Sequence, residues 1–158
     1  MRNSYKINKF FFKLLTLGPV GDLPASGTFG SLCALFFVPL FVRFSFKIKL
    51  LFLILIFLLG FVGIYMSQQY FESQDPKEIV FDEFIGQFVT FALFSTISWK
   101  EMIVGFLLFR TFDILKPWPI SYLDKKEFKT KIGILLDDLV AGLFALFFLM
   151  IFHKFIFS

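Results

Sequence analysis

The hydrophobic positions of this 158-residue chain fall neither in the alternation of a half-buried strand nor in the narrow stripe of a surface helix. They come in long uncharged runs. A helix needs about 20 apolar residues to cross roughly 30 Å of hydrocarbon, and five runs approach that length. Between Leu23 and Val42 no charge occurs, with Pro24 and Gly27 predicting a loop and a helix following over about Gly30 to Phe44, kinked at Pro39. Leu50 to Gln69 is the clearest span. A third run covers Phe84 to Trp99, and Lys100-Glu101 makes a short polar break after it. Met102 to Phe109 continues through Leu115 as a fourth helix, stopped by Pro117 and Pro119. A fifth run, Leu139 to Phe152, starts near Gly133. The pattern predicts an all-α fold: a polytopic membrane helical bundle of about four to five membrane-embedded helices, forming a single domain over residues 1–158. The third and fifth runs hold only 16 and 14 residues, which leaves room for re-entrant or partly submerged helices.

Composition strengthens this picture. Hydrophobic residues make up 58 % of the chain and Phe alone occurs 28 times, more apolar surface than a soluble domain of this size can hide. The segment from Arg2 to Lys13 is basic, and Lys13 breaks its short Phe10-Phe11-Phe12 patch. It reads as an interfacial amphipathic helix or a charged cytoplasmic tail rather than a cleaved signal. Cys33 is the only cysteine, so an intrachain disulfide and a cysteine-based metal cluster are both excluded. The net charge of +4 is spread between the spans, which argues against nucleic acid as a partner.

Five crossings would put residues 1–30, 70–83 and 110–138 on one side, and 43–49, 100–101 and the C-terminal tail on the other. Lys and Arg divide 11 to 5 in favour of the first side, which makes it cytoplasmic by the positive-inside rule. Acidic residues divide 11 to 1, with Glu101 alone on the far side. Carboxylates and cations gathered on one face are what a site for a metal-bound phosphate requires.

Four motifs lie on that face. Gly27-Thr28-Phe29-Gly30-Ser31 combines close backbone approach with the hydroxyls of Thr28 and Ser31 ahead of a helix, which suits an anion and equally suits an N-cap with a small-residue packing face. Asp82 and Glu83 open the third run. Neighbours on a helix point about 100° apart, so the two serve different partners, unless both only complement the helix dipole. Arg110, Asp113 and Lys116 succeed one another at three-residue spacing along one face. They fit phosphate binding, with Asp113 holding Arg110 or a metal, and they also fit snorkelling cations beside the interfacial Trp118. Asp137-Asp138 sits inside an apolar stretch, where two carboxylates are expensive without a partner.

Carboxylates and hydroxyls without a histidine cluster point to a hard cation, Mg²⁺ before others, and Arg and Lys beside them point to phosphate. Asp82 or Asp138 is then general base or nucleophile, and the residues do not choose between metal-activated water and an aspartyl-phosphate. Other phosphatase chemistries lack their parts. Cys33 is followed six residues later by Pro39 where a cysteine phosphatase needs Arg, His153 lies by the C-terminus, and the Asp-x-Asp-x-Thr pattern is missing. The Asp-Gly-x-x-Ala-Arg signature of CDP-alcohol phosphotransferases is missing too.

The ordered set resembles the phosphatidylglycerophosphatase A family. The resemblance is carried by Phe109-Arg110-x-Phe112-Asp113-x-x-Lys116-Pro117-x-Pro119-Ile120, with Ile79-Val80-x-Asp82-Glu83-x-x-Gly86 and Gly133-Ile134-x-x-Asp137-Asp138-x-x-Ala141-Gly142. It runs from about Leu17 to the last helix. One departure is Ser26-Gly27-Thr28 where the family usually has Pro-Gly-Thr. The resemblance implies a Mg²⁺-dependent lipid phosphatase of the bacterial inner membrane that converts phosphatidylglycerophosphate to phosphatidylglycerol at the cytoplasmic face. By motif it points to Thr28, Asp82, Glu83, Arg110, Asp113, Lys116, Asp137 and Asp138 as site residues. The phospholipid head group would reach the carboxylates while its acyl chains stay in the bilayer. Rival readings are a phosphatase for another lipid phosphate such as phosphatidic acid, an ion or proton transporter relaying through the acids, and a non-catalytic membrane assembly protein.

Overall fold

The computed structural model describes residues 2–67, 70–71, 77–123 and 133–157. Asp75-Pro76, at the start of the second motif, and the cations between 124 and 132 lie outside them. The described residues are helical, with no strand among them. In chain order the helices are α1 (Arg2–Leu15), a 3₁₀ turn (Val20–Asp22), α2 (Ser26–Phe41), α3 (Phe46–Ser67), α4 (Phe81–Thr90), α5 (Trp99–Leu115), the short α6 (Ile120–Leu123) and α7 (Gly133–Phe152). The last runs on into a wider turn over His153–Phe157.

Two helices are long and apolar enough to cross a membrane, Phe46–Ser67 and Gly133–Ile156. At 1.5 Å per residue each is about 30 Å or more in length. On α3, Ile48, Leu51, Ile54, Leu55, Leu58 and Val62 stay exposed, an apolar surface of the kind that lipid covers. The fold is therefore a helical bundle that associates with a membrane.

The core is organised by α4, which packs between α7 and α2 and touches α3 and α5. α4 and α7 come together at two glycines. A Cβ on Gly86 would lie 2.5 Å from the Phe109 ring and 2.6 Å from the Asp138 carbonyl oxygen, and one on Gly142 would lie 3.0 Å from Val89 Cβ. Only hydrogen fits there. Phe88 stacks edge-on against Phe41, Phe52 and Phe84, joining α2 and α3 to the same core.

Three boundaries differ from the sequence expectation. Gly27 to Ser31 is not a loop ahead of α2 but its opening turns, because the helix starts at Ser26 with Ala25 before it in the left-handed conformation. The run from Phe84 to Trp99 is not one helix. α4 ends at Thr90, and a buried turn follows in which the Lys49 ammonium donates to the Phe94 carbonyl at 2.6 Å, satisfying backbone that no helix pairs. Lys100-Glu101 is not a break either. Ser98 and Glu101 form a capping box, with the Ser98 amide donating to Glu101 Oε2 at 2.7 Å, so the polar pair begins α5. Helix α1 agrees with the amphipathic reading, exposing Lys6, Lys9 and Lys13 and burying Leu15.

The ends of the bundle carry different chemistry. At one end Glu101 pairs with His153 and Lys49 reaches Phe94. About 25 Å back along α7 lie Asp137 and Asp138.

Candidate active site

A cavity of about 400 Å³ opens at the end of the bundle that holds Asp137 and Asp138. Its wall comes from the segment before α2, the segment before α4, the starts of α4 and α7 and the end of α5. Two hydrogen bonds tie these parts together. The Val80 amide donates to the Leu15 carbonyl at 3.0 Å, and the Ser26 hydroxyl donates to the Lys77 carbonyl at 2.8 Å.

Asp82 and Glu83 project from the first turn of α4, where the helix dipole favours negative charge. Asp138 reaches the same point from α7. One oxygen from each of Asp82, Glu83 and Asp138 can be chosen so that all lie within 4.8 Å of one another. This set can hold a divalent cation. Three carboxylates this close and this sheltered repel one another strongly unless positive charge joins them.

The cations stand beside the cluster. Arg110 Nη1 is hydrogen-bonded to Asp113 Oδ2, the partner that the three-residue spacing predicts, and lies 3.9 Å from Glu83 Oε1. Lys116 ends α5 with a left-handed backbone, φ 42° and ψ 57°, a conformation helix ends usually give to Gly or Asn. From there its ammonium donates to Asp137 Oδ2 at 2.7 Å. The neighbouring acids thus divide their work as the 100° rotation per residue requires: Asp137 turns to Lys116 and Asp138 to the cluster.

Close packing holds this arrangement. A Cβ on Gly27 would lie 2.8 Å from the Glu83 carboxylate carbon and 3.1 Å from Arg110 Nη1, so the start of α2 serves as a lid over that ion pair. Around the cavity Glu83 Oε2, Asp138 Oδ2 and Arg110 Nε are buried without a hydrogen-bond partner. Native structures rarely leave such atoms unpaired outside functional sites.

The structure brings Asp82, Glu83, Arg110, Asp113, Lys116, Asp137 and Asp138 to this one cavity. Thr28 and Ser31 are not part of its lining. Ser31 is fully buried, and its hydroxyl donates to the Gly27 carbonyl at 2.9 Å. Thr28 is rotated a step around α2 from the glycine that faces Glu83. Of the five acids expected to bind metal, Asp82, Glu83 and Asp138 lie together, while Asp113 pairs with Arg110 and Asp137 with Lys116. Sequence reasoning missed Ser26, Lys77 and Glu78, which line the rim. Lys77 and Glu78 stood inside a motif already singled out, but nothing in the pattern said which way they face.

The chain matches the family described as Phosphatidylglycerophosphatase A over residues 13–153. The chain belongs to the phosphatidylglycerophosphatase A family. A Phosphatidylglycerophosphatase A of Haemophilus influenzae is 41 % identical over 123 residues, 77 % of this chain and 75 % of that protein. The Phosphatidylglycerophosphatase A of Escherichia coli is 35 % identical over 119 residues, 73 % of this chain and 67 % of that protein. A Bacteroides thetaiotaomicron protein provisionally named a phosphatidylinositol-3-phosphatase is 33 % identical over 96 residues, 58 % of each chain. No solved structure matches. Membership in this family makes the chain a hydrolase of the phosphatase kind, and the cavity holds the three strongest motifs of the resemblance in one place.

Proposed function

We propose that the chain removes the terminal phosphate of phosphatidylglycerophosphate, giving phosphatidylglycerol and inorganic phosphate, with Mg²⁺ at the cytoplasmic face of the bacterial inner membrane. The observation that carries this reading is the meeting of Asp82, Glu83 and Asp138 with Arg110 and Lys116 in one cavity at one end of the bundle. The substrate follows from the names of the two bacterial relatives.

The residues fit a magnesium ion by donor chemistry. The donors are all carboxylate oxygens, two of the buried ones lack a partner, and no sulfur or imidazole competes among the cavity's lining residues. Asp82, Glu83 and Asp138 would hold it. A bound Mg²⁺ there neutralises phosphoryl charge and makes a nearby water more acidic. Arg110, held by Asp113, offers its guanidinium edge to two phosphate oxygens, and Lys116, held by Asp137, adds a point charge. Asp82 or Asp138 takes a proton as water oxygen bonds to phosphorus. The bond from phosphorus to the glycerol oxygen breaks, and that oxygen leaves with a proton.

Four to five crossings agree with this placement. With α3 and α7 spanning, the shorter α2 and α5 would be the further crossings, while α4, with 10 residues, reaches only about 15 Å into the bundle. The cavity then lies at the cytoplasmic boundary, where a head group enters while its acyl chains remain in lipid. The position of the acids disfavours a transporter, because a relay needs acids near mid-membrane and these gather at one end.

The test is phosphate release by the purified protein in detergent, with and without Mg²⁺. Phosphatidylglycerophosphate, phosphatidic acid, phosphatidylinositol 3-phosphate and a soluble phosphoester are compared. Mg²⁺-dependent release fastest from phosphatidylglycerophosphate is expected. Equal rates on all four remove the assigned substrate, and no release from any lipid removes the enzymatic reading.

A further inference from the structure

The half of the bundle away from the carboxylates is not filled. Helix α4 separates α3 from α7 near the acid cavity, but it has 10 residues and ends at Thr90. Beyond it α3 and α7 pack only lightly on each other, and an apolar groove of about 490 Å³ runs between them. Leu50, Leu53 and Phe57 of α3 face Leu143 and Leu146 of α7 across it, and every lining residue is apolar. Along α3 the lining runs from Phe46 to Leu58. That is about 18 Å of helix, close to the roughly 15 Å that one leaflet contributes to the hydrocarbon core. An apolar channel of this depth beside two membrane-length helices fits a fatty acyl chain.

The groove has a polar end. Leu93 lines it and also lines a second cavity of about 330 Å³, formed with Phe94, Ser95, Thr96, Met150, His153 and Lys154. Met150 follows Leu146 by one turn of α7, so the second cavity continues the groove toward the end of the bundle. Its exposed polar groups donate: the hydroxyls of Ser95 and Thr96 and the Lys154 ammonium. The bond from Lys49 to the Phe94 carbonyl fixes the turn that carries the two hydroxyls. Glu101, the one acid at this end among the described residues, is engaged by His153 and by the Ser98 hydroxyl. Arg43, Lys47 and Lys100 stand at the same end, so the local field favours an anion. Groove and polar end share no lining residue with the acid cavity. Between them Gly60 packs so closely that a Cβ there would lie 3.1 Å from the Phe81 ring and 3.3 Å from Leu135.

We propose that this face binds one anionic phospholipid of the leaflet opposite the active site. An acyl chain lies in the groove between α3 and α7, and the phosphate meets Ser95, Thr96 and Lys154. The lipid fills the space that α4 leaves and ties the end of α7 to the turn after α4. The site does not depend on the phosphatase reading, only on α3 and α7 standing in a membrane.

The test reconstitutes the protein in phosphatidylethanolamine vesicles with a small fraction of phosphatidylglycerol that carries a photoactivatable diazirine in one acyl chain. Labelled peptides are identified by mass spectrometry. Labelling should concentrate on residues 50–58 and 139–146 and exceed that of the exposed α5 positions Ile103 and Leu107. It should also exceed labelling by phosphatidylethanolamine with the same diazirine. Lys154→Gln combined with Thr96→Val, both at exposed positions, should lower groove labelling about 5-fold, the effect of one lysine beside an anionic lipid surface. Leu143→Trp fills the groove and should lower it at least as far, whereas Lys116→Met at the acid cavity should leave it unchanged. Even labelling of every apolar face, or equal labelling by the two lipids, would overturn the proposal. Groove labelling that survives the Lys154→Gln, Thr96→Val change puts the head group elsewhere and overturns it as well. Loss of labelling in Lys116→Met makes the groove part of the substrate site and refutes a separate one. No groove labelling at all refutes a lipid there and leaves the groove to a second copy of the chain.

Discussion

Lys116 and Asp137 meet at 2.7 Å across 21 positions of sequence, joining the end of α5 to the start of α7. Asp137 is buried and the Lys116 side chain is only 27 % exposed, so neither charge is well hydrated by itself. Removing one partner of such a pair costs more than replacing both, because the survivor is left buried and uncompensated. Lys116→Met should therefore destabilise the protein by about 2–3 kcal/mol. The double variant Lys116→Met with Asp137→Leu should recover most of that loss. Both should raise KM for the lipid, because the phosphate loses its point charge. Thermal unfolding with steady-state kinetics checks this. Recovery of KM in the double variant would show that Lys116 has no contact with substrate.

Mg²⁺ should stabilise the folded protein as well as activate it. A cation that binds the native cluster and not the unfolded chain raises the unfolding midpoint in proportion to the logarithm of its concentration. Asp138→Asn should flatten this dependence, leave the protein in the membrane and lower turnover at least 100-fold, as expected for a group acting on the reacting atoms. Unfolding scans over a Mg²⁺ series, for both proteins, measure it. An equally steep Mg²⁺ response in Asp138→Asn places the ion elsewhere.

Gly86→Ala should separate α4 from α7. Its new methyl would lie 2.6 Å from the Asp138 carbonyl, and that backbone belongs to a helix that cannot yield alone. Overpacking of this kind costs about 1–3 kcal/mol. Because Asp138 sits at the contact, activity should fall more steeply than stability. Parallel measurement of residual phosphate release and unfolding midpoint tests the coupling. Full activity would mean that the cluster tolerates movement of α7.

Sidedness can be read from two exposed lysines, Lys77 at the cavity rim and Lys154 at the far end of α7. With Cys33 replaced by Ala, Lys77→Cys and Lys154→Cys each provide one thiol. A membrane-impermeant maleimide applied to intact spheroplasts should label position 154 and spare position 77. Inside-out vesicles should give the reverse. Labelling of both from one side would refute a cavity facing the cytoplasm across a spanning α7.

Much of the fold was legible in the chain because lipid imposes a one-dimensional rule. An uncharged run near the required length must be helical, and so α3, α5 and α7 were anticipated closely. The rule reads length and charge but not local pairing, and it failed where side chains rather than hydropathy decide. The capping box of Ser98 and Glu101 turns an apparent polar break into a helix start, and Lys49 on Phe94 lets the chain leave α4 early while still buried. The Arg110–Asp113 pair was visible because it is local, three residues apart on one helix. The Lys116–Asp137 pair was not.

By itself the sequence determined the class of the protein: apolar helices, and acids with cations kept to one end by the cost of charge in hydrocarbon. It also carried the ordered motifs that mark the family. Tertiary structure alone decided which carboxylates share a point in space and which pair with a lysine or arginine, and that Thr28 and Ser31 stand outside the cavity lining. The reason is physical. Periodicity reports which face of a helix a residue occupies, whereas partnership depends on how α2, α4, α5 and α7 cross, and that is fixed by close contacts such as Gly86 against Asp138.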